Sequence, residues 1–157
     1  MSADPHRQQR VTRDHYVRKT EVGARLFAVL DWSVDDRDMT LIPHLSRAVR
    51  RGDILELAVT DESETHPGGS VQRVAYLCFA EATEAGLLLA GDRVTVGPDT
   101  IGVIAGFDET HMPNHLNVIL HAETRKTGRD MDLKPDMLIT FEGILEEKNR
   151  RMGFVRE

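Results

Sequence analysis

The chain has 157 residues, of which 40% are hydrophobic and 29% charged, and its net charge is −6. A chain of this length can bury roughly two-thirds of the surface that it exposes when unfolded, which is enough for a core without metals or disulfides. The acidic balance argues against nucleic-acid binding, the apolar runs are too short to span a bilayer, and the single cysteine, Cys78, cannot form an internal disulfide. We therefore expect a cytoplasmic protein with no nucleic-acid or membrane partner.

The two ends of the chain differ in composition from its middle. Residues 1–15 are polar and without periodicity, and residues 1–25 carry six Lys or Arg against three Asp or Glu. This composition predicts a flexible basic N-terminal arm over 1–15. Residues 146–157 are predicted to form a charged C-terminal tail with a short helix over 146–151. The intervening residues 16–145 then form a single domain.

One segment has the pattern of a helix. Thr40 is a suitable N-cap, Pro43 is tolerated in a first turn, and Gly52 can take the left-handed conformation that ends a helix. The apolar residues between them fall on one helical face: Leu41, Leu45, Ala48 and Val49. This spacing predicts one short helix over 40–51.

The rest of the domain has the short apolar runs and the frequent Gly, Asp and Pro breaks that are typical of strands. Strands are predicted at 25–30, 54–60, 71–80, 86–90, 93–96, 100–107, 115–123 and 137–144. Many short strands with a single helix indicate a mainly β protein, and we expect a small antiparallel β-barrel.

The densest polar cluster lies between two of these strands, within residues 107–123. It contains three of the seven histidines, together with carboxylates and asparagines, on either side of Pro113. Catalytic groups sit preferentially on loops that a rigid scaffold holds, so we interpret this junction as the candidate site. The catalytic candidates are Asp108, Glu109, His111 and His115. The candidates for ligand binding are Asn114, Asn117, His121 and, from the predicted helix, Arg47.

Strand alternation suggests how these groups are arranged. Residues 115, 117 and 121 point to the same side of an extended strand, which predicts a polar groove or barrel lumen that binds a hydroxylated or carboxylated ligand. The alternative is that this side is an ordinary solvent-exposed face. Within a groove, His115 is the candidate general base, and His111 or Glu109 would orient it or donate a proton.

Two other kinds of site are weaker alternatives. Glu109, His111 and His115 have side chains that could bind a metal, but Pro113 interrupts the helix that would align them. Cys78 lies in an apolar strand, where a cysteine usually packs rather than reacts. We therefore expect no metal and no nucleophilic cysteine.

Part of the chain resembles a known family. Leu89-Ala90-Gly91-Asp92, Val103-Ile104-Ala105-Gly106 and a run from Leu133 to Glu142 resemble the C-terminal part of the glucitol/sorbitol-specific enzyme IIA of the phosphotransferase system, over residues 86–144. The resemblance implies a small β-barrel. The family's phosphorylated histidine would fall within 74–81, where this chain has no histidine, so phosphocarrier activity is not implied. The whole chain is also similar to uncharacterised bacterial proteins with the segment GFDETHMPNH, residues 106–115 here.

These observations together predict a small enzyme that binds a polar small molecule and performs acid–base chemistry without a cofactor. Isomerisation, cyclisation, elimination and hydrolysis are all compatible with a histidine and carboxylate pair. Two alternatives stay open: a non-catalytic ligand-binding or regulatory module derived from a phosphotransferase-like barrel, and a structural or assembly protein. A small-molecule ligand is the expected partner, and a homodimer is left open.

Overall fold

The computed structural model describes Tyr16 and residues 18–143. The N-terminal arm over 1–15, the tail over 146–157 and the helix over 146–151 lie outside the described residues. Within them the regular structure consists of strands, and no residue is helical. The strands are β1 (Val22–Val34), β2 (Met39–Thr40), β3 (Ser46–Val49), β4 (Ile54–Thr60), β5 (Ser70–Val71), β6 (Val74–Ala82), β7 (Gly86–Leu89), β8 (Arg93–Val96), β9 (Asp99–Asp108), β10 (Leu116–His121) and β11 (Leu138–Glu142).

Seven of these strands form a closed barrel in the order β1-β11-β8-β9-β10-β4-β6. The mainly β fold and the barrel that the sequence predicts are therefore confirmed. All neighbours in the barrel are antiparallel except β4 and β10, which run parallel with Leu116 opposite Leu55 and His121 opposite Thr60. This parallel pair places β4 beside β10, the strand that belongs to the polar cluster over 107–123.

The interior of the barrel is filled with apolar side chains. Alternate residues of each strand point inward, and Leu57, Leu77, Phe107, Val118 and Phe141 are all 0% exposed in one continuous core. Burial of this apolar area is the main favourable term for folding. Because the lumen is occupied, a polar site has to lie on the outer wall rather than inside the barrel.

The prediction of a helix over 40–51 is wrong. Met39–Thr40 pairs with Ser70–Val71, and Ser46–Val49 pairs antiparallel with Gly86–Leu89. These backbone partners come from distant parts of the chain, and tertiary pairing overrides a weak local preference for helix. Gly52 does adopt a positive φ of 93°, but within a turn.

That turn joins β3 to β4. The amide of Asp53 donates to the carbonyl of Arg50 at 3.1 Å, so Gly52 is the third residue of a four-residue turn. A positive φ at this position is the mark of a type II turn, which favours glycine. The signal interpreted as the end of a helix was therefore the signal of a β-turn.

A second apolar layer covers part of the outer wall. Its buried members come from β2 and the residue after it, from β5 and from the outward faces of three barrel strands: Met39, Leu41, Ala58, Val71, Val74, Tyr76 and Ile119. Strand β10 is consequently buried on both faces, with Val118 and Ile119 both 0% exposed. The reading of its polar side as a solvent-exposed face is wrong at Asn117, which is 1% exposed. The described residues contain no helix long and apolar enough to cross a membrane.

Candidate functional site

The candidate site lies on the outer wall, where β4, β6 and β10 run side by side. Glu56 sits in the middle of β4, between Leu55 and Leu57, which both point into the core. Strand alternation therefore directs the Glu56 side chain outward. Its strand neighbours are Asn117 on β10 and Phe79 on β6. The site is thus built from positions far apart in sequence.

His115 faces Glu56 from the start of β10. Its Nε2 atom lies 3.9 Å from the Oε2 atom of Glu56, and the two side chains are 9% and 13% exposed. The amide Nδ2 of Asn114 donates to Nδ1 of His115 at 2.7 Å. Because Nδ1 accepts this hydrogen bond, the neutral imidazole carries its proton on Nε2, the atom that faces the carboxylate.

The pKa values of these two groups shift in opposite directions. Burial raises the pKa of Glu56 above 4.5; the positive charge of Arg37 acts against this shift and the negative charge of Asp108 adds to it. Burial also lowers the pKa of His115 below 6.5, and so does the neighbouring His111, whereas Asn117 and Asp108 act in the opposite direction. Each shift disfavours the charged form, as desolvation predicts.

Aromatic contacts fix the two histidine rings. The ring of His111 stacks on that of His115 with centroids 5.0 Å apart and an angle of 24°. Phe79 meets His115 edge-on at 5.0 Å. His111 is exposed, whereas His115 is buried beneath it. His111 is therefore the histidine that a molecule arriving from solvent meets first.

Asp108 is buried near His115 and accepts hydrogen bonds from two side chains. Its Oδ2 atom accepts a hydrogen bond from Nδ2 of Asn117 at 2.8 Å, and its Oδ1 atom accepts one from the hydroxyl of Thr110 at 2.5 Å. The side chain of Asn117 in turn interacts with His115, and this contact raises the pKa of the histidine. Asn117 therefore links Asp108 to His115.

A cleft of about 590 Å³ opens beside Glu56. Its walls come from β1, from the segment after it and from the site just described: Leu30, Asp31, Trp32, Arg37, Glu56, Tyr76 and His111. The Nε of Arg37 donates to the hydroxyl of Tyr76 at 2.7 Å. Trp32 stacks on Tyr76 with ring centroids 4.9 Å apart. A cleft of this size can hold a small organic molecule.

The structure brings together part of the predicted site. Asp108, His111, Asn114, His115 and Asn117 form one cluster, joined by the contact between Asn117 and His115, but His111 alone of these lines the cleft. The other predicted site residues lie outside this network.

Glu109 points away and pairs with Arg47, its Oε2 atom 3.3 Å from the Arg47 Nε. Arg47 lines a separate crevice of about 40 Å³ together with Asn114 and His115. His121 lies at the far end of β10, in a groove with Asp99 and Lys126. No group of three or more His, Cys, Asp or Glu in the described part of the chain is arranged to hold a metal.

The sequence reasoning missed the cleft residues Trp32, Arg37, Glu56 and Tyr76. Glu56 had a visible signal, because a single carboxylate interrupts an otherwise apolar strand. Arg37 lies between aspartates in a polar turn, and nothing local distinguishes it. Trp32 and Tyr76 meet only because β1 and β6 pair with these two residues in register.

The fold and the site define a class: a small closed β-barrel with its polar cleft on the outer wall. Residues 16–142 match the Family of unknown function (DUF6917), and the chain belongs to that family. No curated protein and no solved structure matches the chain significantly. The resemblance to the phosphotransferase enzyme stays a prediction.

Proposed function

We propose that this protein is a small cytoplasmic enzyme that moves a proton on a polar small molecule, without a cofactor, in the outer-wall cleft. The observation that carries the proposal is the position of Glu56, a carboxylate 13% exposed that lines the cleft beside the Tyr76 and Arg37 pair. A cytoplasmic location fits the free, buried thiol of Cys78.

Glu56 replaces His115 as the general base in this proposal. It lines the cleft, whereas His115 is buried behind His111. A carboxylate whose pKa burial raises is a stronger base than one in water. His115 places its Nε2 atom 3.9 Å from the Glu56 carboxylate and helps to shield it from solvent, and it is therefore a positioning residue. His111 is the exposed acid or base that exchanges the proton with solvent.

The Tyr76 and Arg37 pair binds the substrate oxygen on which negative charge develops. Arg37 donates to the Tyr76 hydroxyl, which leaves the phenol proton free to bind a substrate oxygen. Burial raises the pKa of Tyr76, while the hydrogen bond from Arg37 acts in the opposite direction, so the phenol stays protonated at neutral pH. A fixed donor opposite a base stabilises negative charge that develops on a carbonyl oxygen. Isomerisation and elimination are the reactions that need this arrangement.

The proposal is tested by proton exchange in D₂O. The purified protein is incubated with a panel of carbonyl compounds, and loss of the proton signal next to the carbonyl is followed by NMR. Glu56→Gln should slow exchange by roughly 10²–10⁴-fold, and Glu123→Gln, an exposed residue beyond the end of β10, should not. If Glu56→Gln exchanged these protons as fast as the native protein, Glu56 would not be the general base.

The same experiment separates the alternatives. A protein that binds members of the panel but exchanges none of their protons would be a ligand-binding module. The assembly alternative relied on exposed barrel edges, and closure gives each of the seven barrel strands two neighbours. A closed barrel removes such edges, which makes this alternative less favourable.

A further inference from the structure

We propose that the substrate is a planar ring compound with a carbonyl or enol oxygen, whose ring packs on Trp32 and whose oxygen binds Tyr76 and Arg37. This inference rests on the proposed function, because it names the substrate class of the same cleft. The structural basis is the placement of an exposed aromatic surface and an oxygen-binding pair in one wall, beside the Glu56 carboxylate.

Trp32 provides the surface for a ring. It is the single tryptophan of the chain and is 56% exposed, although it lines the cleft. Its ring lies nearly parallel to that of Tyr76, at 14°, and this stacking holds it in place. Because Tyr76 occupies one face of the indole, a flat ligand that also reaches the Tyr76 hydroxyl packs against the exposed edge of Trp32, and the fixed ring offers this contact at a low entropic cost.

Arg37 and Tyr76 provide the site for the oxygen. The Nε of Arg37 is engaged by the Tyr76 hydroxyl, which leaves the terminal guanidinium nitrogens to face a ligand. Three of the neighbouring acids have their own partners: Asp31 accepts from Thr127 and Arg129, Asp35 accepts from Arg125, and Asp38 accepts from Gln72. The charge of Arg37 also acts on Glu56, whose pKa it lowers, and both residues line the cleft.

The reaction that this placement supports is a proton transfer, which needs no oxidant or reductant. The bond between hydrogen and the carbon beside the carbonyl breaks, and its proton moves to the Glu56 carboxylate. The electron pair moves to the substrate oxygen, which becomes an enolate held by Tyr76 and Arg37. Return of the proton to a different carbon of the conjugated system gives an isomer. The total charge of the site does not change during the transfer.

A ring-bearing oxyanion mimics this enolate, and three fluorinated probes separate its features. Pentafluorophenolate has both the ring and the charge, pentafluorobenzyl alcohol has the ring alone, and trifluoroacetate has the charge alone. Dissociation constants are measured by ¹⁹F NMR titration of the full-length protein at neutral pH. We expect the phenolate to bind at least about 10-fold more tightly than either of the others, since a charged acceptor gains a strong hydrogen bond.

Variants test separately how Trp32 and the Tyr76 and Arg37 pair contribute to phenolate binding. Tyr76→Phe keeps the stacked ring and should weaken phenolate binding by about 10-fold or more. Trp32→Leu should weaken it by about 3- to 10-fold, and Trp32→Phe should restore part of the loss. Arg37→Lys gives a second test of the oxygen site if Tyr76→Phe is unstable. Arg25→Gln, which changes an exposed arginine on β1 that pairs with Asp136, should bind normally.

The outcomes distinguish this inference from the proposed function. Phenolate binding that is equal in Trp32→Leu, or no tighter than that of trifluoroacetate, overturns the ring substrate while leaving proton exchange by Glu56 intact. Glu56→Gln should bind the phenolate at least as tightly as the native protein, because the neutral amide resembles a protonated carboxyl group. Weaker binding by Glu56→Gln would contradict the placement of the oxygen opposite this residue.

Discussion

The Nε2 atom of His115 lies 3.9 Å from the Oε2 atom of Glu56, and both side chains are largely withdrawn from solvent. The histidine immediately precedes β10 and the carboxylate lies on β4, and these strands are the two parallel neighbours of the barrel. The distance is too long for a direct hydrogen bond, and burial is the largest cause of the pKa shift of each group.

Glu56→Gln should change the pH dependence of stability. Burial raises the pKa of Glu56 in the folded protein above its ordinary value of 4.5. Its favourable contribution is therefore complete at low pH, where the carboxyl group is neutral in both states, and is lost as pH rises through the folded pKa. Urea unfolding from about pH 4 to about pH 8 should show the variant gaining stability relative to the native protein. Glu123→Gln should show no such trend, and a constant difference for Glu56→Gln would contradict the burial argument.

His115 should titrate below 6.5, because burial and the neighbouring His111 lower its pKa. The stability that it contributes is complete above that unfolded value and is lost as pH falls through the lower folded pKa. NMR of the His115 ring protons measures the midpoint directly. His111→Gln should raise that midpoint, since it removes a like charge, whereas His66→Gln, in an exposed loop, should leave it unchanged. A midpoint at or above 6.5 in the native protein would be inconsistent with this environment.

Asp108→Asn should destabilise the protein by about 2 kcal/mol. Asp108 is 2% exposed, and its oxygens accept hydrogen bonds from Asn117 and Thr110. An asparagine at this position has one acceptor oxygen fewer and would place a donor against a donor. Chemical unfolding measures the loss, and the matched change Asp99→Asn at the exposed start of β9 should cost less than about 0.5 kcal/mol. Equal costs would mean that the Asp108 network has little structural role.

Gly128→Ala should destabilise the loop between β10 and β11, which contacts the cleft residue Asp31. A Cβ atom at Gly128 would lie 1.9 Å from the carbonyl oxygen of Leu77, so the loop would have to move. The expected cost is about 2 kcal/mol or more, with increased hydrogen exchange around Asp31, which this loop contacts through Thr127. Gly97→Ala meets no atom within 4 Å and carries only the strain of its positive φ of 58°, so about 1 kcal/mol is expected. A smaller cost at Gly128 than at Gly97 would argue against this close packing.

Cys78 should be inert in the native protein. It is 0% exposed in the barrel core, and burial raises the pKa of its thiol to about 12, with a further contribution from the charge of Glu56. A thiol reagent at mildly alkaline pH should react only after denaturant is added. Rapid labelling without denaturant would show that the core opens, or that the thiol is exposed.

Much of the architecture could be predicted from local patterns. The strands at 54–60 and 93–96 have the same bounds in the structure as in the sequence prediction, because alternating apolar residues and flanking turn residues carry that signal locally. The failed helix over 40–51 shows the limit of this approach. Its Thr, Pro and Gly signals were real, but the partners of Met39–Thr40 and Ser46–Val49 are strands more than 25 residues further along the chain.

The candidate site, like the fold, has one part that the sequence predicts and another that it does not. The sequence by itself determined that the segment 107–123 is rich in titratable groups, and the network of Asp108, Asn117 and His115 lies within it. Only the tertiary structure decided that His115 faces Glu56 and that the cleft beside them is lined by Arg37 and Trp32. Register across β1, β6, β4 and β10 brings these residues together, and such pairing is set by the packing of the whole barrel rather than by any short window of sequence.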